Sequence, residues 1–186
     1  LTSGNHEIVI ATRKGKAIRF HEGIVRPIGR TASGGRGVRI ENEGDYVVGM
    51  VCVENESEDI LVISENGYGK RSSIEGYRVT NRGGKGVKTL NITEKTGLLI
   101  GILNVTDEDD LMIINRSGIT IRLAVSSLRT MGRATQGVRL INLKDSDRIA
   151  SVEKVASNGD EESDITPEGG TEEGSHESGT EKPAES

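Results

Sequence analysis

The chain has 186 residues, is 33% hydrophobic and 28% charged, and carries a formal net charge of -5, a size and balance that suit one modest core rather than two independent domains. Trp is absent, Phe occurs once (Phe20) and Tyr three times (Tyr46, Tyr68, Tyr77), so the core must be built from Ile, Val and Leu, which favour strands. The apolar runs are far shorter than the roughly twenty residues of a membrane-spanning helix, and the N-terminus has no charged-then-apolar leader pattern, so no membrane partner is expected.

The single cysteine, Cys52, cannot form an internal disulfide, which fits a reducing cytoplasm and predicts a small buried hydrophobe. The charge is split along the chain. Residues 157–186 hold ten acids and one base (Lys182), which leaves 23 Lys and Arg against 19 Asp and Glu in residues 1–156. The body is therefore basic and the end acidic.

In chain order, residues 1–5 look like the end of a preceding unit, which marks the chain as part of something longer. Three segments then share one opening: HEIVIATRKGKAIRF from His6, EDILVISENGYGKRS from Glu58 and DDLMIINRSGITIRL from Asp109. They superpose without a gap. Gly15, Gly67 and Gly118 fall in one register, a period of about fifty residues in the range of propeller repeats. Each opening predicts a hairpin, with apolar tetrads as buried strands and Lys-Gly, Asn-Gly or Ser-Gly supplying the positive φ of a two-residue turn.

Each repeat closes with a Gly-Val pair (Gly37-Val38, Gly86-Val87, Gly137-Val138), a base one residue later (Arg39, Lys88, Arg139) and an apolar strand from Val47, Leu98 or Arg148. With the connecting segments from Ile24, Ile74 and Val125, this predicts an all-β chain of about four antiparallel strands per blade. The units expected are blade repeats at 6–57, 58–108 and 109–156. Residues 157–186, poor in apolar side chains, are expected to be a disordered acidic tail. Such a tail would compete with a polyanionic ligand for the basic body.

The Gly-rich stretches before each Gly-Val pair, GRTASGGRGV, NRGGKGV and GRATQGV, bring small residues and bases together. Small residues let backbone N–H groups approach a phosphate while Lys and Arg supply charge. Arg30, Arg36, Arg82, Lys85 and Arg133 in these loops are candidate DNA or RNA contacts, with Arg39, Lys88 and Arg139 just beyond; solvated turns are the alternative. A second set lies in the hairpins: Arg19, Arg71 and Arg122 share one register, joined by Arg13, Lys14, Lys16, Lys70 and Arg116. Alternation puts the Arg19 series on one face, where it either meets phosphate or pairs with carboxylates between blades.

Catalytic patterns fail. His6, His21 and His176 are scattered, no Cys/His spacing suggests zinc, and RGGKGV lacks the Ser or Thr that a Walker loop needs after its Lys. Adjacent Asp109 and Asp110 are expected to cap a strand as solvated carboxylates. No catalytic residue, metal or cofactor is assigned.

The strings EIVIATRKGKAIRF, GYGKRSSIEGYRVTNRGGKGVKTLNITEKTG, DLMIINRSG and MGRATQGVRLINL resemble the C-terminal domain of the DNA gyrase A subunit over nearly all of residues 1–156. The resemblance implies a β-pinwheel, a propeller relative whose neighbouring blades exchange strands, with double-stranded DNA wrapped around a basic outer rim. It further implies a parent type II topoisomerase that introduces negative supercoils, with ATP and Mg bound on other parts. The implied partners are the rest of the gyrase A subunit and, through it, the gyrase B subunit, in the bacterial cytoplasm at the nucleoid. NRGGKG at Asn81–Gly86 resembles the family's QRRGGKG box as a degenerate copy, and the box itself is expected before Leu1. The equivalent domain of topoisomerase IV and a propeller used only as a protein-interaction scaffold are the alternatives.

Overall fold

A computed structural model describes residues 2–144 and 146–156. Eleven strands run in chain order: β1 (Glu7–Thr12), β2 (Lys16–His21), β3 (Val47–Val53), β4 (Asp59–Ser64), β5 (Tyr68–Ser73), β6 (Val87–Lys88), β7 (Leu99–Val105), β8 (Asp109–Asn115), β9 (Thr120–Ala124), β10 (Val138–Arg139) and β11 (Ile149–Ala156). Only three-residue 3-10 turns interrupt them. The all-β expectation holds among the described residues; the acidic tail lies outside them.

The hairpins β1–β2, β4–β5 and β8–β9 pair antiparallel, but their turns differ from the expected two-residue type. Gly15 N–H donates to Thr12 O, Gly67 N–H to Ser64 O and Gly118 N–H to Asn115 O, at 3.0–3.1 Å. The loops therefore hold three residues, with positive φ at the Gly (80°, 80° and 87°). A type I turn closed by a left-handed Gly accommodates the strand twist as well as the shorter turn does.

The fourth strand of each complete blade comes from the next repeat. The β6 pair Val87–Lys88 lies on β2, opposite Ala17 and Lys16, and Val138–Arg139 of β10 lies on β5, opposite Gly69 and Tyr68. The sheets are ordered β3-β1-β2-β6, β10-β5-β4-β7 and β11-β8-β9. Among the described residues the third sheet has three strands, not the four expected, and β9 pairs with no donor strand. Thr89 N–H and Leu140 N–H seat each donor segment on the carbonyl of Gly15 or Gly67, both at 2.8 Å. A methyl group on Gly15 would meet Leu90 O at 2.5 Å and one on Gly67 would meet Ile141 O at 2.9 Å, whereas one on Gly118 would meet nothing.

Strand alternation then builds the core. Ile60 and Val62 turn toward the first blade and join Val9, Ala11, Ala17, Tyr77 and Leu90. Leu61 and Ile63 turn the other way and join Leu111, Ile113, Ile141 and Ile149. The central blade is thus covered on both faces, which explains its unbroken apolar run. Cys52 is only half-buried, a correction to the expected core position: it packs beside Ile8, Ile18 and Phe20 on the first blade's outer face.

Candidate nucleic-acid interface

The hairpin arginines fall to a structural role. Arg19, Arg71 and Arg122 each pair with the carboxylate twelve residues earlier, on the adjacent strand of their own hairpin: Glu7, Asp59 (3.5 Å) and Asp110 (2.6 Å). Arg19 is buried and also donates to Ile74 O (2.8 Å) and Tyr77 O (3.0 Å) of the next repeat. Arg71 has a second carboxylate, Asp107. Arg19 thereby ties two repeats, whereas both carboxylates of Arg71 lie in its own repeat, and the charge of each guanidinium is already matched within the chain. Arg122 stays exposed. Asp110, expected as a solvated cap, is instead buried against Arg122.

Lys70, another of the contact candidates, turns inward. It is 1% exposed and donates to Gly132 O (2.7 Å) and Arg133 O, so it pins the third Gly-rich loop from beneath. Burial, with Arg133 nearby, pushes its pKa down to about 8. The register already placed it in the core, since Ile18 and Ile121 hold the equivalent positions.

The remaining hairpin bases are more exposed but largely matched. Arg13 pairs with Glu65 (3.2 Å) and lies over the Tyr46 ring, Lys14 donates to Glu43 O (2.6 Å), and Lys16 pairs with Glu41 (3.3 Å). Lys85, in the second loop, reaches the same Glu41 at 2.6 Å. These two ammonium groups hold the Glu41 carboxyl below its ordinary range, the Lys85 hydrogen bond most of all.

The Gly-rich loops meet edge to edge. Gly83 N–H donates to Gly37 O (2.6 Å), Arg39 N–H to Gly84 O (2.8 Å) and Arg82 to Arg36 O (3.2 Å). Arg133 likewise reaches back to Gly76 O (2.8 Å) and Lys88 O. Arg82 and Arg133 are thus stitches between repeats, but their acceptors are neutral carbonyls, so their positive charge is not cancelled. Arg30, Arg36 and Arg39 are exposed and make no ion pair among the described residues. Lys88 and Arg139 hold Asn91 and Asn142, three residues on, at 3.2 Å.

One series escaped the sequence reading. Arg26, Arg78 and Arg129 lie eleven residues after Gly15, Gly67 and Gly118, on the arms that lead into the Gly-rich loops. All three are exposed and pair with no carboxylate among the described residues. Arg78 borders a recess with Lys85, and Arg26 borders another with Arg82. Their signal was the period itself: an exposed base recurring in three copies.

A model of the DNA gyrase C-terminal domain, beta-propeller, matches residues 6–54, 58–106 and 109–156. The DNA gyrase A subunit of Staphylococcus aureus (strain MRSA252) is 48% identical over 165 residues, which cover 88% of this chain and 18% of that protein. The chain therefore spans less than a fifth of its relative. Among solved structures, the C-terminal domain of DNA topoisomerase IV superposes with a TM-score of 0.78 at 26% identity, covering 84% of this chain and 48% of that one. The DNA gyrase A C-terminal domain superposes at 0.71 and 25%, covering 81% and 50%. With three matched repeats joined by strand exchange, this chain belongs to the DNA gyrase C-terminal domain family of β-propellers.

Proposed function

We propose that the chain binds double-stranded DNA along its exposed, carboxylate-free bases and bends it around the blade edges. In this reading it is the later part of the wrapping domain of a bacterial gyrase A subunit. The rest of that subunit, with the gyrase B subunit, ATP and Mg, performs strand passage, and the wrap directs it toward negative supercoils. The observation that carries the reading is the recurrence of Arg26, Arg78 and Arg129 beside Gly-rich loops that lie edge to edge. Three copies on successive blades supply a curved row of charge rather than one patch.

The energetics require no base readout. Bending 20–30 base pairs costs on the order of 1–6 kcal/mol, and phosphate contacts spread around a rigid edge offset it by counterion release. Family membership and 48% identity to a gyrase protein support gyrase over topoisomerase IV.

Charge reversal tests the reading. A chain with Arg26→Glu, Arg78→Glu and Arg129→Glu should bind plasmid DNA at least about tenfold more weakly at moderate salt, with its melting temperature unchanged. Undiminished binding would leave the scaffold reading standing.

A further inference from the structure

The second exchange junction holds a basic recess of about 270 Å³, against the roughly 30 Å³ that a water molecule takes in the liquid. Lys95, Arg139, Lys144 and Arg148 surround Tyr68 there, with Asp147 as the one acid of the lining among the described residues. None of the four bases forms a salt bridge among the described residues. The Asp147 carboxylate is occupied by the Ser117 hydroxyl and the Arg148 N–H, both at 2.8 Å.

Arg139 is fixed by neutral partners. Its Nε and Nη2 donate to the Tyr68 phenol oxygen (3.2 and 2.9 Å), its Nη1 donates to Asn142, and its guanidinium lies 5.4 Å from the Tyr68 ring centre. Three of five guanidinium N–H groups are used, so two remain. Lys95 lies over the same ring at 5.6 Å. Tyr68 is 5% exposed and its own O–H proton has no acceptor among the described residues. Around this fixed centre stand donors without a matching acceptor, which is the chemistry of a site for an oxyanion with several acceptor oxygens.

We infer that this recess seats a backbone phosphate of the bound duplex and is the chain's strongest single grip on it. The inference rests on the DNA reading and adds Lys95, Lys144 and Arg148 to it. Position supports a phosphate of the wrapped strand: Val138–Arg139 follows directly from the third Gly-rich loop, so a duplex tracking that loop reaches the recess next. Prearranged Arg binds phosphate with less ordering cost than a mobile Lys.

The test measures binding of the full chain to a fluorescent 40-base-pair duplex across a salt series, before and after Lys95→Gln, Lys144→Gln and Arg148→Gln together. Thermal melting checks the fold, and Lys144→Gln alone, at an exposed position, provides a variant that cannot unfold it. The triple variant should bind about tenfold more weakly at low salt, with a log–log salt slope shallower by about 1 to 2, and Lys144→Gln should move the same way by less. Unchanged affinity and slope overturn the recess while leaving DNA binding intact. Tighter binding also overturns it, because the bases would then be holding the carboxylates of residues 157–186. A parent chain that binds no DNA at all fails the underlying reading instead.

Discussion

The two strand-exchange junctions share a backbone and differ in charge. At the first, Lys16 lies opposite Lys88 in the ladder, and Glu41 bridges Lys16 and Lys85. At the second, Tyr68 and Gln136 replace Lys16 and Lys85, and Arg139 lies opposite the Tyr. No carboxylate bridges its bases among the described residues. Among the described residues one junction is partly neutralised and the other is not, so the strand swap goes with more than one charge arrangement. The charge is the part free to serve function.

The largest expected effect tests the swap itself. Gly67→Ala should destabilise the chain by about 2–4 kcal/mol, combining the strain of a left-handed Ala with displacement of the β10 segment. Gly118→Ala, also at positive φ but with no neighbour, should cost only about 1 kcal/mol. Chemical denaturation of both variants checks this; equal losses would break the link between the turn and the donor strand.

A smaller effect concerns Lys70. Its folded pKa of about 8 lies below the unfolded value of roughly 10.4, so between these values the unfolded chain binds more protons. Stability should therefore rise as pH increases from about 8 to 10.4 and be lowest below that window. Lys70→Met should remove this increment, seen as a flatter denaturation midpoint against pH. An unchanged profile would assign the rise to other groups.

The smallest effect sharpens the charge comparison. Glu41→Gln releases Lys16 and Lys85 and makes the first junction resemble the second. DNA affinity at low salt should increase about two- to threefold, the size of an exposed ion pair. No increase in a binding titration would mean that the first junction does not face the duplex.

Much of this was legible in the sequence. The strands beginning near Glu7, Asp59 and Asp109 stand where their apolar tetrads and Gly turns predicted. Carboxylate pairing of the Arg19 series was legible as one of two alternatives, and the partners Glu7, Asp59 and Asp110 repeat in step with Arg19, Arg71 and Arg122, within each hairpin rather than between blades. The recurring Gly-Val pairs and their following bases marked β6 and β10, but two residues are too few to show which sheet they join, and only the resemblance implied the exchange. The recess was invisible for another reason: Lys95, Arg139 and Lys144 meet around Tyr68 only after the third repeat lends its strand to the second.

The most direct test of the central claim is the salt dependence of duplex binding by the full chain. If about six exposed bases each neutralise a phosphate, log K should fall against log salt with a slope of roughly -5. A slope near zero, or no binding at low salt, would contradict the account.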